Sequence, residues 1–207
     1  MAAAPRLRFG RLWERLGAQK ESDPAFDRLA EAYGAGGRAY HTLAHVLDCL
    51  AQLDEAGAPP ERGDLVEAAI WFHDVVYDPH RNDNENRSAE WAAHAMGSAE
   101  ISSVITDRVA ALIRMTAHTS PAGDRDGALL CDIDLSILGR GAAEFDEYQR
   151  RIREEYAWVP APLYRAGRTR ILTAFLDRER IYLTPYFHDR YESAARENLR
   201  RALEELA

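Results

Sequence analysis

Residues 65–76 read Leu-Val-Glu-Ala-Ala-Ile-Trp-Phe-His-Asp-Val-Val, a run that is apolar almost all round. A helix that is hydrophobic on every side is buried among other elements. The run therefore predicts a central, buried helix. His73 and Asp74 lie inside it, where an unpaired charge is costly, so the same stretch also marks a candidate site of chemistry.

Helical periodicity dominates the remainder of the chain, and strand-like alternation is scarce. Leu12, Trp13 and Leu16 predict an N-terminal helix. Further helices are predicted at residues 27–33, 42–53, 86–96, 102–117, 129–138, 144–156, 164–176 and 191–206. A chain of 207 residues is long enough for one sizeable core, and no linker separates two folding units. We predict an all-α, single-domain helical bundle over residues 1–207.

The composition is that of an ordinary globular protein with an acidic balance. Hydrophobic residues make up 46% and charged residues 29%, and the net charge is -8. An acidic chain lacks the basic face that duplex nucleic acid requires, although a metal ion and a few arginines can still attract a small anionic substrate. Cys49 and Cys131 lie far apart, as is usual in a reduced intracellular protein. No apolar run approaches the roughly 20 residues of a membrane span, so we expect a cytoplasmic protein without a membrane partner.

Imidazoles and carboxylates recur within the apolar helical segments. The candidate ligands are His41, His45, His73, Asp74, His118, Asp132 and Asp134. The i, i+4 spacing of His41 and His45 predicts that both lie on one face of a helix. Singly, each feature has a commoner structural explanation: a hydrogen-bonded core pair, an N-cap at Asp132, or a histidine that interacts with a helix dipole at His118.

Taken together, these residues favour a metal site. Buried charged groups are normally paired or metal-bound. Two imidazoles and two carboxylates suit a divalent ion such as manganese, iron, zinc or magnesium with open positions for water. Such an ion lowers the pKa of bound water and polarises a phosphoryl oxygen. Residue type alone leaves open the choice between His41 and His45, and between Asp132 and Asp134.

The order His, His-Asp, Asp resembles the HD-domain metal-dependent phosphohydrolases, in which these residues bind one metal inside a helical bundle. The string Tyr-His-Thr-Leu-Ala-His at residues 40–45 is similar to the paired-histidine helix of cyclic-nucleotide phosphodiesterases. That resemblance implies that His45 is a metal ligand and that His41 donates a proton to the leaving oxygen.

Two further strings extend the resemblance. Asp-Leu-Ser, which begins at Asp134, is similar to the final-ligand string of the same phosphodiesterases and leaves Asp132 as the second choice. His-Asp-Val-Val-Tyr-Asp, which begins at His73, resembles the guanosine tetraphosphate hydrolases. Tyr77 stands where those enzymes have a glutamate, so only Asp78 matches, with an acid–base role. The implied metal ligands are His45, His73, Asp74 and Asp134.

Most of the chain, from about residue 38 to 198, resembles a bacterial group of predicted HD phosphohydrolases. The resemblance implies a metal-site core at about residues 38–140, with C-terminal helices at 144–206 packed on it. It also implies one divalent transition metal, either Mn, Fe, Zn, Co or Ni, with Mg as a further choice. A second metal is the alternative.

Further residues receive expected roles. The expected catalytic residues are His41, Asp74, Asp78 and Glu85. Asp74 or Asp78 would orient the nucleophilic water, whereas Glu85 either reaches the site or only begins the next helix. His118 and Asp132 are candidates for a second metal or for phosphate. Because arginine forks match phosphate oxygens, Arg153 and Arg168 are candidates for the substrate phosphate.

The predicted function is therefore that of a metal-dependent phosphohydrolase. It would cleave a phosphoester or phosphoanhydride, with a nucleotide as the favoured substrate, and would not bind duplex nucleic acid. One alternative is a metal-bound HD-fold sensor or interaction module without turnover. Another is a helical domain without metal, in which the histidines and aspartates form core hydrogen bonds.

Overall fold

A computed structural model describes residues 3–57, 60–119 and 123–207. In those residues the regular structure is entirely helical, which confirms the predicted all-α bundle. The α-helices are α1 Ala3–Arg15, α2 Asp23–Tyr33, α3 Leu43–Ala56, α4 Pro60–Phe72, α5 Asn84–Ser98, α6 Ser103–Met115, α7 Arg125–Asp134, α8 Ala142–Glu155, α9 Ala161–Leu176 and α10 Pro185–Leu206. A 3-10 helix, Leu135–Gly139, follows α7 directly. None of the described helices combines the length and apolarity needed to cross a membrane.

Helix α4 lies at the centre of the bundle, as its apolar sequence predicts. Its residues 68–72 have no exposed surface, and the helix packs against α3, α6 and α7. The ring centroids of Phe9 in α1 and Phe26 in α2 lie 5.4 and 6.1 Å from that of Trp71. Because aromatic side chains bury a large apolar area, this cluster anchors the two N-terminal helices to α4.

The central helix is shorter than predicted. It ends at Phe72, so the expectation that His73 and Asp74 lie inside a helix is wrong, and both occupy the turn that follows. The Arg38 guanidinium donates to the backbone carbonyls of Asp74 at 2.7 Å and Val75 at 2.9 Å. The Arg38 side chain therefore donates hydrogen bonds to carbonyls that, in a longer helix, would accept from backbone amides of the same helix.

His41 lies outside helix α3. The helix begins after Thr42, whose backbone is extended with φ -113 and ψ 175. The prediction that His41 and His45 share one helix face is therefore wrong, since His45 lies in the first turn and His41 in the preceding segment. The amides of residues 39–41 donate to Glu155, which holds this segment in a non-helical conformation.

The other candidate ligands also lie at helix ends. Asp134 is the last residue of α7, so the predicted helix at 129–138 is divided between α7 and the 3-10 helix. His118 follows the end of α6 and has a φ of 54°, a left-handed conformation that is uncommon for a residue other than glycine. The helical repeat therefore does not set the direction of these side chains; contacts from other segments do.

Candidate metal centre

Four side chains from three segments converge beside the C-terminal end of α4. His45 Nε2 lies 3.2 Å from His73 Nε2 and 3.1 Å from Asp134 Oδ1. Asp74 Oδ2 lies 3.1 Å from His73 Nε2 and 3.8 Å from His45 Nε2. The structure thus brings together the two imidazoles and two carboxylates of the expected ligand set.

The spacing of these atoms fits a divalent ion. Ligand atoms about 2.1 Å from a common ion lie roughly 3.0 Å apart at right angles and roughly 3.4 Å apart in a tetrahedron. The observed separations between the nitrogens and oxygens are 3.1 to 3.8 Å. Imidazole and carboxylate together suit zinc, iron, manganese and related ions. Both the distances and the donor types are therefore compatible with a metal site.

The contacts of His73 direct its Nε2 atom into the cluster. Its Nδ1 lies 2.9 Å from the carbonyl oxygen of Ile70. A carbonyl can only accept, so Nδ1 donates to it, and Nε2 faces His45 Nε2 at 3.2 Å. Although burial opposes it, Asp74 and Asp134 raise the pKa of His73 well above its usual value. A metal ion bound at Nε2 would displace the proton from this atom.

Both carboxylates of the cluster remain ionised. Burial alone would raise the pKa of Asp74, but the imidazoles of His73 and His41 lower it below its ordinary value. Burial likewise acts against ionised Asp134, and hydrogen bonds from neighbouring imidazoles, first that of His118, hold its pKa well below the usual range. The side chains of Asp74 and Asp134 are 15% and 18% exposed, so solvent reaches the cluster from the carboxylate side.

His118 contacts the outer oxygen of the last ligand. Its Nε2 lies 2.9 Å from Asp134 Oδ2, whereas Asp134 Oδ1 faces His45. The Arg178 guanidinium donates to the backbone carbonyl of His118 at 3.0 Å. This contact orients the carboxylate of Asp134, and the expected role of His118 at a second metal or at phosphate stays a prediction.

A buried cysteine adjoins the cluster. Cys49 Sγ lies 3.7 Å from His45 Nε2, and together with Asp134 these residues form a second group with metal-ligand spacing. Burial, followed by the charge of Asp134, raises the pKa of the Cys49 thiol well above its usual value. Metals bind the thiolate rather than the thiol, so the set with two histidines is the better suited of the two.

A second cluster, which the sequence analysis missed, surrounds His41. His41 Nδ1 lies 2.7 Å from Glu155 Oε2, and the Tyr77 hydroxyl donates to the same oxygen at 2.8 Å. The other oxygen of Glu155 accepts from the amides of residues 39–41. The Tyr77 ring stacks on His41 with centroids 4.1 Å apart. Glu155 therefore fixes both the ring of His41 and the backbone that carries it.

His41 and Glu155 each stabilise the charged form of the other. The Glu155 side chain has no exposed surface. Burial alone would raise the pKa of Glu155, but the hydrogen bond and the charge of His41 lower it to about 2. Burial would lower the pKa of His41, but Asp74 and Glu155 raise it. The structure thus favours a protonated His41 that donates from Nδ1 to Glu155.

Asp132 and Arg153 have structural partners instead of places in the cluster. The buried Asp132 carboxylate accepts from the amides of Leu183 at 2.8 Å and Thr184 at 2.7 Å, in the segment that precedes α10. Both terminal nitrogens of Arg153 donate to backbone carbonyls in the loop after α8. The structure does not bring either side chain to the four-residue cluster, and their expected roles at a second metal and at a phosphate stay predictions.

Asp78 and Glu85 flank the loop between α4 and α5. The Asp78 carboxylate accepts from the amide of His80 at 2.9 Å, and the Asp78 amide donates to Asn84 Oδ1 at 3.1 Å. Asp78 therefore organises the loop. Glu85 is half-buried in the first turn of α5, where an acidic side chain complements the helix dipole. These contacts give both residues structural roles, and the catalytic roles expected for them stay predictions.

Comparisons with protein-family models, with curated proteins and with solved structures found no match to this chain. The resemblance to the HD-domain phosphohydrolases therefore stays a prediction from the motifs at His45, His73, Asp74 and Asp134. The structure adds a spatial observation to those motifs. His45 and Asp134, 89 positions apart in the chain, lie within hydrogen-bonding distance.

Proposed function

We propose that this chain is a metal-dependent phosphohydrolase that cleaves a phosphoester or phosphoanhydride bond of a small substrate, with nucleotides as the favoured class. The convergence of two imidazole nitrogens and two carboxylate oxygens, at separations of 3.1 to 3.8 Å, carries the proposal. One divalent transition metal would be held by His45, His73, Asp74 and Asp134. When bound, the ion would supply Lewis acidity and neutralise charge on the phosphoryl group.

His41 is the proposed proton donor to the leaving oxygen. Its Nδ1 faces Glu155 at 2.7 Å, so Nε2 carries the transferable proton. Although burial opposes it, the charges of Asp74 and Glu155 raise the pKa of His41, which favours the protonated ring that an acid requires. The leaving oxygen takes this proton as its bond to phosphorus breaks.

Asp74 is proposed to orient the attacking water. Its side chain is buried on the side of His73 and retains 15% exposure, which is enough for a water molecule to donate a hydrogen bond to the carboxylate. A water held in this way directs its lone pair at phosphorus, and such positioning is a large part of the catalysis of displacement reactions.

Metal analysis of the purified protein is the first test. Wild-type protein is expected to bind one divalent ion per chain, and His73→Ala is expected to lose it because a nitrogen ligand is gone. His94→Ala is the matched control, since His94 lies exposed on α5. Wild-type protein that binds no metal after reconstitution would overturn the proposal and leave the cluster as hydrogen-bonded core pairs.

A hydrolysis screen is the second test. Wild-type protein is assayed against a panel of phosphorylated compounds with added manganese, cobalt or magnesium, and release of phosphate from at least one nucleotide is expected. His41→Ala should retain the metal and lose this activity. Stoichiometric metal without hydrolysis of any compound would indicate the alternative, a metal-bound sensor or interaction module.

A further inference from the structure

Arg168 on α9 is a buried cation without an anionic partner in the described part of the chain. Only 7% of the residue is exposed. Its Nε donates to Gln149 Oε1 at 3.0 Å, and its Nη2 donates to the same oxygen. Gln149 is neutral, and the groups that influence the guanidinium most strongly are phenols rather than carboxylates. A buried guanidinium without a counter-charge is costly, so this position favours an anionic ligand.

Three tyrosines surround the guanidinium. The Arg168 Cζ atom lies 5.1 Å from the centroid of Tyr148, and the phenols of Tyr156 and Tyr164 interact with its charge. All three tyrosines are half-buried, so the group borders on solvent. We define the Arg168 cluster as Arg168, Gln149, Tyr148, Tyr156 and Tyr164. It combines a planar guanidinium with hydroxyl donors, a combination that suits an oxyanion.

Two lines of contacts connect the Arg168 cluster with the candidate metal centre. The ring of Tyr148 meets that of Tyr40 with centroids 4.7 Å apart, and Tyr40 lies 4.8 Å from His45. On the other side, the phenol of Tyr156 interacts with that of Tyr77, whose ring stacks on the proposed proton donor. The Arg168 cluster is therefore linked both to a proposed metal ligand and to the proposed acid.

We propose that the Arg168 cluster binds a second phosphate group, so that the substrate carries two separated phosphates. The inference rests on the proposed function, which assigns the hydrolysed phosphate to the metal centre. The Nε and Nη2 atoms of Arg168 donate to Gln149, so the Nη1 side of the guanidinium is the part that would donate to a phosphate oxygen. Arg153 also lies near Tyr164, but both of its terminal nitrogens already donate to backbone carbonyls. Arg168 is thus the cation that recognises the second phosphate.

Titration calorimetry with inorganic phosphate tests the cluster separately from hydrolysis. Metal-depleted wild-type protein is expected to bind phosphate at one site, and His73→Ala should retain that binding. Arg168→Gln should weaken it by about ten-fold or more, the effect of losing charge-assisted hydrogen bonds. Arg165→Gln is the matched control, because Arg165 lies exposed on the same helix, and it should keep the wild-type affinity.

Arg168→Lys keeps the charge without the fork, and its phosphate affinity should be intermediate. It replaces Arg168→Gln in the comparison if circular dichroism shows that the glutamine variant does not fold. Absence of phosphate binding in wild-type protein, or equal affinity in wild type and the Arg168 variant, would overturn the proposal, as would loss of binding in His73→Ala. Phosphate binding through Arg168 in a chain that binds no metal would support the cluster while refuting the proposed function.

Discussion

Glu155→Gln replaces the buried carboxylate beside His41 by a neutral group of the same shape. Burial alone would raise the pKa of Glu155, but the hydrogen bond and charge of His41 lower it from 4.5 to about 2. One pKa unit corresponds to about 1.4 kcal/mol, so ionised Glu155 contributes about 3 kcal/mol to stability at neutral pH. We expect the free energy of unfolding of Glu155→Gln to be lower than that of wild type by about this amount.

The pH dependence of the difference follows from the direction of the shift. The pKa of Glu155 is lower in the folded than in the unfolded chain, so its contribution is complete above about pH 4.5 and is lost as the pH falls toward 2. Urea unfolding, followed by circular dichroism, measures the free energy for both proteins across this range. The difference between them should be largest at neutral pH and should shrink in acid.

Glu154→Gln is the matched control for this experiment. Glu154 precedes Glu155 and is exposed, with its carboxylate 3.9 Å from Arg150. Exposed ion pairs one helical turn apart contribute about 0.3–0.5 kcal/mol, so this variant should unfold nearly as wild type does. Equal stability of the two variants, or a deficit in Glu155→Gln that persists unchanged at about pH 3, would refute the assigned charge interaction.

Three further predictions test the remaining parts of the structure. Asp134→Ala should lose the metal, whereas Asp132→Ala should keep it, as metal analysis would measure. Asp132→Ala should also lower the free energy of unfolding by about 1–3 kcal/mol in urea unfolding, because buried amides lose their acceptor. Trp71→Ala, at a fully buried position, should cost about 3–5 kcal/mol in the same assay. Added divalent metal should raise the Tm of wild type and leave that of His73→Ala unchanged, since only a ligand of the folded state stabilises it.

The periodicity of apolar residues was sufficient to locate the helices, but it did not locate their ends. Residues 65–76 predict a buried helix, and residues 68–72 are completely buried. Helices α9 and α10 begin before their predicted starts, and each has a proline in its first turn. A proline is tolerated there because the first amides of a helix have no partner within it. A proline at such a position therefore marks the start of a helix. A prediction from apolar periodicity alone places that start several residues too late.

The boundaries around the metal centre depend on contacts that are distant in the chain. Arg38 binds carbonyls 36 and 37 residues away, at the end of α4. Glu155 binds amides 114 to 116 residues away, before α3. No local pattern encodes such pairs. The histidines and aspartates of the expected ligand set were recognisable because their residue types stand out within apolar runs, whereas Glu155 looks like any acidic residue of an amphipathic helix.

The field at the candidate metal centre favours a cation over a phosphate. His73 and Asp74 follow the end of α4, and Asp134 ends α7, so two helix C-termini place partial negative charge beside two ionised carboxylates. The N-terminus of α3, near His45, opposes them. In the metal-free protein the imidazoles of His41 and His73, whose pKa values are raised, balance the two carboxylates, and a bound divalent ion would add the positive charge that attracts phosphate. Phosphate that binds to the metal-free protein is therefore expected at the guanidinium of Arg168, which has no carboxylate partner in the described residues.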